Sequence, residues 1–435
     1  MILGDASRAT GSVTLDALFR RAGVRNAHAA ALIDPPNRAR FTDGEPRTLT
    51  FAQADRAIAA FAATLHGLGL HTDAVIGLQL PNTVDSVIAF LGVLRAGMIA
   101  APLPLLWRRR DMIEALGRAG AKAIVTAGRI GACAHAELAM DVAAELFPIR
   151  QIAAFGDRLP DGVVPLDAVF GAATSEPPPQ RTSNAAAHLA AWTFANSADG
   201  HAPIAHDHAA LAAAGESVLQ AAGLGADAPL LSTIPLGSLA GLSVTLMPWL
   251  IGGGTLHLHH GFDAETFATQ AAAMDGGMIA VPGLALRPLA ALAAADTTML
   301  AVWRSSYGLA NSPPCRNAVD VVCIDDAEVK ASARGHDVLP DPALIAEAKA
   351  MPGGADIAIG GYSFRQIELD AAVLAIDPYA TVTALPDAAL GQRLAGHAAD
   401  PAAVAARLMD AGFNPLLAAA FRMRQFVGFE IDSPK

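Results

Sequence analysis

The chain has 435 residues, of which 53% are hydrophobic and only 16% charged, with a formal net charge of −11. That length exceeds a single core and implies two or three domains, while the apolar content excludes extended disorder over most of the chain. Its 30 Lys and Arg, spread evenly against 41 acids, exclude the basic face a nucleic-acid partner requires.

The opening residues "MILGDASRATGSVTLDALF" carry an early acid and no apolar core, which is not the pattern of a signal peptide. "RTLTFAQADRAIAAFAATLHGLGL" (47–70) predicts an amphipathic helix. Thr50 serves as its N-cap, Gln53 completes a capping box, and Gly67 and Gly69 end it. "AVIGLQL" (74–80) reads as a short apolar strand, 83–97 as a helix and "AKAIVTA" (121–127) as another strand. Strands alternating with helices imply parallel βαβ units covered on both faces. The two most apolar stretches, 86–107 and 229–254, are broken by Arg95 and by Pro and Gly. Both fall short of the roughly 20 uninterrupted apolar residues of a spanning helix, so the expectation is a soluble protein with no membrane span.

Residues 155–188, with "SEPPPQRTSN", form a Pro-rich surface connection. A buried strand, "HLAAWTFA", then runs into "TFANSADGHAPIAHDHAAL" (193–211). That stretch has the outline of a phosphate-gripping loop: a glycine at Gly200, small polar residues before it, and a His-x-His pair opening an alanine-rich helix. It has no lysine. Helix, strand and helix continue to about residue 300, and from 352 "PGGADIAIGGYSF" punctuates the chain before a smaller α+β segment. No internal repeat is visible.

Cys133, Cys315 and Cys323 lie far apart without metal-ligand spacing, which implies reduced thiols and a cytoplasmic location. In "LHLHH", His257 and His259 could share a strand face. Without a third ligand at a defined spacing, the group with His260 reads as a solvated strand end. The "GGG" at 252–254 is a turn, since the G-x-G-x-x-G order is absent.

The order of these pieces resembles the AMP-forming acyl- and aryl-CoA synthetases. "LTFAQADRAIAAFAATLHGLGLHTDAVIGLQLPNTVDSVIAFLGVLRAGMIAAPL" (49–103) is similar to the family's first subdomain. "IPLGSLAGLSVTLMPWLIGGGTLHLHHGFDAETF" (234–267) resembles its L-P-L-F-H-x-x-G-L to F-D-x-E-x-F stretch. "GGYSFRQIELDAAVLAIDPYATVTALPDAALGQRLAG" (360–396) resembles the start of its mobile C-terminal domain, P-D-x-x-L-G included. The resemblance implies an α/β fold: a large N-terminal domain over residues 1–352 and a small, truncated α+β domain over 353–435. It implies chemistry in which a carboxylate attacks the α-phosphate of ATP, and CoA then takes the acyl group. Such chemistry needs amide donors around phosphate, Mg²⁺ on a carboxylate, and lysines where charge develops.

The family's phosphate loop, T-S-G-T-T-G-x-P-K-G followed by H-[ST]-H, falls on Ala195 to Pro203 and then His206, Asp207 and His208. One residue is missing, both threonines are gone, Asp199 puts a negative charge where phosphate should sit, and the lysine has no counterpart. The Mg²⁺ glutamate of Y-G-x-T-E falls on Glu328 in "IDDAE", where a vestigial metal ligand and a surface acid at a strand end remain equal readings. The nucleotide-side candidates are Asn196, Ser197, Asp199, Gly200, His206, Asp325 and Asp326. The pocket-side candidates are Leu236, Ser238, Leu239, Gly241, Trp303, Ser305 and Ser306, with Ser238 where the family carries a pocket histidine. The ribose aspartate and hinge signature find no match before Gly360, and the sequence ends at "FEIDSPK", about where the family continues to its catalytic lysine. The expectation is a degenerate family member with little adenylation and no cofactor, keeping an acyl- or aryl-acid cavity or a partner surface, with a protein partner or homodimer as candidates. The alternatives are an active acid–CoA ligase using ATP/Mg²⁺ and CoA through an atypical site, and a structural subunit of a pathway enzyme.

Overall fold

The computed structural model describes residues 13–172, 185–197, 200–274, 276–303, 309–310, 312, 314–324, 326–334, 340–349, 357–359, 362–387 and 391–422. Its strands run in chain order as β1 (Ala30–Ile33), β2 (Thr48–Thr50), β3 (Val75–Gln79), β4 (Ile99–Pro102), β5 (Ala123–Ala127), β6 (Gln151–Phe155) and β7 (Val164–Pro165). They continue as β8 (Leu189–Ser197), β9 (Gly200–Asp207), β10 (Leu230–Ser232), β11 (Leu256–Leu258), β12 (Met278–Pro282), β13 (Thr298–Trp303), β14 (Ala318–Ile324) and β15 (Glu328–Ala333). The last four are β16 (Ile357–Ile359), β17 (Tyr362–Phe364), β18 (Thr381–Asp387) and β19 (Gly391–His397). Helices used below are α1 (Leu15–Arg25), α2 (Phe51–Gly67), α3 (Val84–Arg95), α4 (Arg109–Ala119), α5 (His135–Glu145), α6 (His208–Ala222), α7 (Gln366–Ile376), α8 (Pro401–Asp410) and α9 (Pro415–Ala420).

Two largely parallel sheets form the body. One has seven strands in the order β7-β6-β5-β3-β4-β8-β9, the other eight in the order β15-β14-β13-β12-β10-β11-β1-β2. Pairs such as β3–β4, β3–β5, β10–β12 and β13–β14 are parallel, whereas the edge pairs β8–β9 and β14–β15 are antiparallel hairpins. The apolar β3 and β5 are buried along their whole length, as strands covered on both faces must be.

Helix α3 explains how the layers join. Every one of its residues is buried, so it carries no polar face and sits inside the molecule. It packs closely on α2, where a Cβ at Gly92 would overlap the Phe61 ring. Helix α2 starts at the expected capping box, with Thr50 and Gln53 bonded reciprocally. The charges α3 buries are paired: Arg95 meets Asp16 and Asp55, each at 2.7 Å, and Asp85 meets Arg38 and, at 3.0 Å, Arg47.

The third sheet, β17-β16-β19-β18, is antiparallel and carries α7, α8 and α9 around its own core of Leu369, Val373, Val382, Leu394, Leu408 and Phe421. It meets the body at α4. There the Arg110 amide donates to Gly412 O at 3.3 Å, and the Arg110 guanidinium lies 4.4 Å from the Phe413 ring centroid. No described helix is long and apolar enough to cross a membrane.

Candidate functional site

The β8–β9 hairpin presents the loop singled out in the sequence. Its ladder pairs Phe194 with Pro203, Ala195 with Ala202, Asn196 with His201 and Ser197 with Gly200, so only two residues remain for the tip. Gly200 sits at φ +97°, a conformation that favours glycine, and a Cβ there would overlap the carboxylate of Glu114. That carboxylate accepts the His201 amide at 3.1 Å and pairs with Arg118 at 3.1 Å. The His201 ring lies 4.3 Å from the Trp107 ring, with Nε2 3.4 Å from Asp111 Oδ1.

Local sequence places these partners. Gln79 at the end of β3 is fully buried and donates from Nε2 to the carbonyls of Pro104 and Trp107, both at 3.1 Å. This fixes the loop before α4 and aims Trp107 at the hairpin. Trp107 lies in the loop two residues before α4, and Asp111 and Glu114, three residues apart, share one face of its first turns. Sequence reasoning passed over Trp107, Asp111, Glu114 and His201. The available signal was that stripe in "WRRRDMIEALGR".

A second cluster lies on the same hairpin, nearer the body. Asp326 adopts φ +51° in the turn between β14 and β15. Its carbonyl accepts from Thr193 Oγ1 at 2.8 Å and lies 3.0 Å from His206 Nε2. The same Nε2 lies 2.8 Å from Thr193 Oγ1, and burial pushes the His206 pKa below the usual range. The Asp326 carboxylate accepts the Leu239 amide at 3.0 Å and the Cys323 thiol at 3.7 Å. The structure thus brings His206, Asp326 and Leu239 together, with Thr193 and Cys323 unforeseen.

Leu236, Leu239 and Gly241 are buried and Ser238 is half-buried. Ser238 caps a short turn of helix by accepting from Gly241 N at 3.4 Å. This segment presses on the loop after β4: at Gly237 a Cβ would stand 2.7 Å from Leu103 O. Trp303 ends β13 with 3% exposure, donates from Nε1 to Asp320 Oδ1 at 2.7 Å, and lies over Gly283. Asp320 is in turn held by Arg334 at 2.6 Å. Glu328 opens β15, 61% exposed and 3.6 Å from Lys330 Nζ. Asp199, Asp325, Ser305 and Ser306 lie outside the described residues, and of Asn196 and Ser197 only the backbone is described.

The histidine run differs from a solvated strand end. His259 is 1% exposed, its Nδ1 lying 2.7 Å from Gln270 Oε1. Burial, with His259 and His135 nearby, pushes His260 down to about 4. Among the described residues no His, Cys, Asp and Glu cluster could hold a metal ion.

Parts of the sequence and the fold are shared with known proteins. The family model "AMP-binding enzyme" matches residues 19–285, more than half of the chain. Residues of this chain are 37% identical over 109 positions to a long-chain-fatty-acid–CoA ligase of Yersinia pestis and 31% identical over 152 to the long-chain fatty acid transport protein 1 of Bos taurus. These matches cover 25% and 35% of this chain, but only 18% and 22% of the two relatives. The amide bond synthetase McbA from Marinactinospora thermotolerans superposes with a TM-score of 0.70 at 14% identity, over 93% of this chain and 94% of that one. A Brucella canis acyl-CoA synthetase gives 0.60 at 17% identity, over 92% and 88%. At these identities the likeness is one of fold.

Proposed function

The chain belongs to the AMP-binding enzyme family, and we propose that it is a member with little or no adenylating activity. In this reading it keeps an acyl- or aryl-acid cavity or a partner-binding surface. The observation that carries the reading is the hairpin ladder, closed up to Ser197 and Gly200. A triphosphate cradle needs several uncommitted amides and a cation. Here the His201 amide faces Glu114, Asp111 stands beside it, and no Lys or Arg occurs from 189 to 211. The residues present do not fit a triphosphate at this tip. Removing one charge-stabilising donor costs on the order of 10²–10³ in rate.

Titration calorimetry with Mg-ATP tests this. The expected affinity is weaker than millimolar, and micromolar binding sinks the reading. One observation favours a second reading, an acid–CoA ligase with an atypical ATP site: Glu328 stands exposed at the mouth of the β14–β15 turn, where a carboxylate could reach a metal ion. Pyrophosphate release on adding ATP/Mg²⁺, CoA and a carboxylic acid would establish it.

A further inference from the structure

We propose that Glu114 is a built-in anion that occupies the His201 amide on β9 and excludes phosphate ligands from it. The inference rests on the reading of this hairpin as the family's phosphate loop and adds to it the residue that blocks it. A carboxylate and a phosphate oxygen ask for the same partners: a backbone N–H, a guanidinium and close approach at a glycine. Glu114 takes all three, accepting from His201 N at 3.1 Å, pairing with Arg118 at 3.1 Å and lying against Gly200, where a Cβ would overlap it. Asp111, one turn earlier, lies 3.4 Å from His201 Nε2, so an arriving anion meets two negative charges on one helix face.

The occupant is covalently tethered and prepositioned. Gln79 fixes the loop ahead of α4, and Trp107 lies tilted against the His201 ring at 4.3 Å and packs edge-on to Phe194 at 5.4 Å. Its effective concentration at the tip therefore exceeds that of a free ligand. Removing its charge takes away one of the two carboxylates that face an anion arriving at the His201 amide, the nearer one.

The test uses the full chain, inorganic pyrophosphate and Mg-ATP as calorimetric probes, and the variants Glu114→Ala and Glu114→Gln. The Gln variant keeps an oxygen to accept the His201 amide, so it preserves the hairpin while removing the charge. Pyrophosphate should bind Glu114→Ala at least about tenfold more tightly than wild type, or ~1.4 kcal/mol, with Glu114→Gln showing a smaller gain in the same direction. Equal, weak binding in all three proteins overturns the blocking role and leaves the proposed function standing. Tight binding to wild type overturns both, since the tip would then be open with Glu114 in place.

Discussion

At the scale of single residues, the charges buried beside α3 carry the clearest consequences. Arg38 is 1% exposed and bridges Asp34, at 2.5 Å, and Asp85, while Arg47 joins Asp85 to Asp167 at 2.7 Å. Deleting one partner leaves a buried charge uncompensated, so Arg38→Ala should lower the unfolding free energy by about 3–5 kcal/mol. Arg118→Ala, at a half-exposed pair, should cost about 1 kcal/mol or less. Guanidinium titration decides this, and a loss for Arg38→Ala as small as that for Arg118→Ala would mean that water reaches the network. A second prediction concerns pH. Burial pushes His135 and His260 down to about 4, below the unfolded value of 6.5, so the unfolded chain takes up protons first. Their stability is present above pH 6.5 and lost as pH falls toward 4. Asp85 runs the other way: burial raises it to about 6, so it relieves some strain as pH falls through 6. The two histidines outweigh the aspartate, so between pH 7.5 and 5 these three groups together should cost about 2–3 kcal/mol, and His206, His257 and His259, also lowered by burial, act in the same direction. His135→Gln should remove about 2 kcal/mol of that three-group loss, roughly three-quarters of it, and an unchanged slope would remove His135 from the account.

At the scale of elements, the hairpin tip and α4 behave as one unit, and a double-mutant cycle exposes it. Gly200→Ala adds a Cβ at φ +97° and against Glu114, so it should cost about 1–3 kcal/mol. In the Glu114→Ala background the steric part vanishes and the backbone part stays, giving a coupling of about 1 kcal/mol by denaturant titration. Strict additivity would show that tip and helix do not press on each other. The sequence made the strands, the α2 capping box and the alternation legible, because each depends on local pattern: period, cap and breaker. It also showed what the loop lacked, since a missing lysine is readable without coordinates. What filled the place was not legible. Glu114 lies 87 residues from His201 in the chain, and only the crossing of α4 over β9 brings them together. The Asp326 junction was hidden for the same reason, since Thr193 reaches it across 133 residues. His259 was misread because burial is a tertiary property, set by Gln270 on the helix that follows. Of the apolar residues in 360–396, Leu369, Val373 and Val382 are buried in the third sheet's core, while Ile367 and Leu374 stay 65% and 52% exposed.

At the scale of the molecule, the remaining issue is whether the unit from 353 onward, which we take as the second domain, is fixed or swings. Working synthetases, by the resemblance, need the swing because two half-reactions use different faces. A tip that takes no triphosphate has no such requirement. The docking contact reports directly. Arg110 is at the second position of α4, where an amide has no partner within its own helix, and it donates instead to Gly412 O in the turn between α8 and α9. Its protection from exchange therefore depends on the small unit being in place, while Met112, bonded to Arg108 O at 3.0 Å, depends only on the local turn. A fixed unit predicts slow exchange at both amides. Phe413→Ala removes the ring under the Arg110 guanidinium, a contact of about 0.5–1 kcal/mol. It should speed exchange at Arg110 roughly two- to fivefold and leave Met112 unchanged. If Arg110 exchanges at the free-peptide rate in the wild-type chain while Met112 stays protected, the small unit spends its time undocked. The swinging arrangement, and with it the active-ligase reading, would then gain the ground that the fixed one loses.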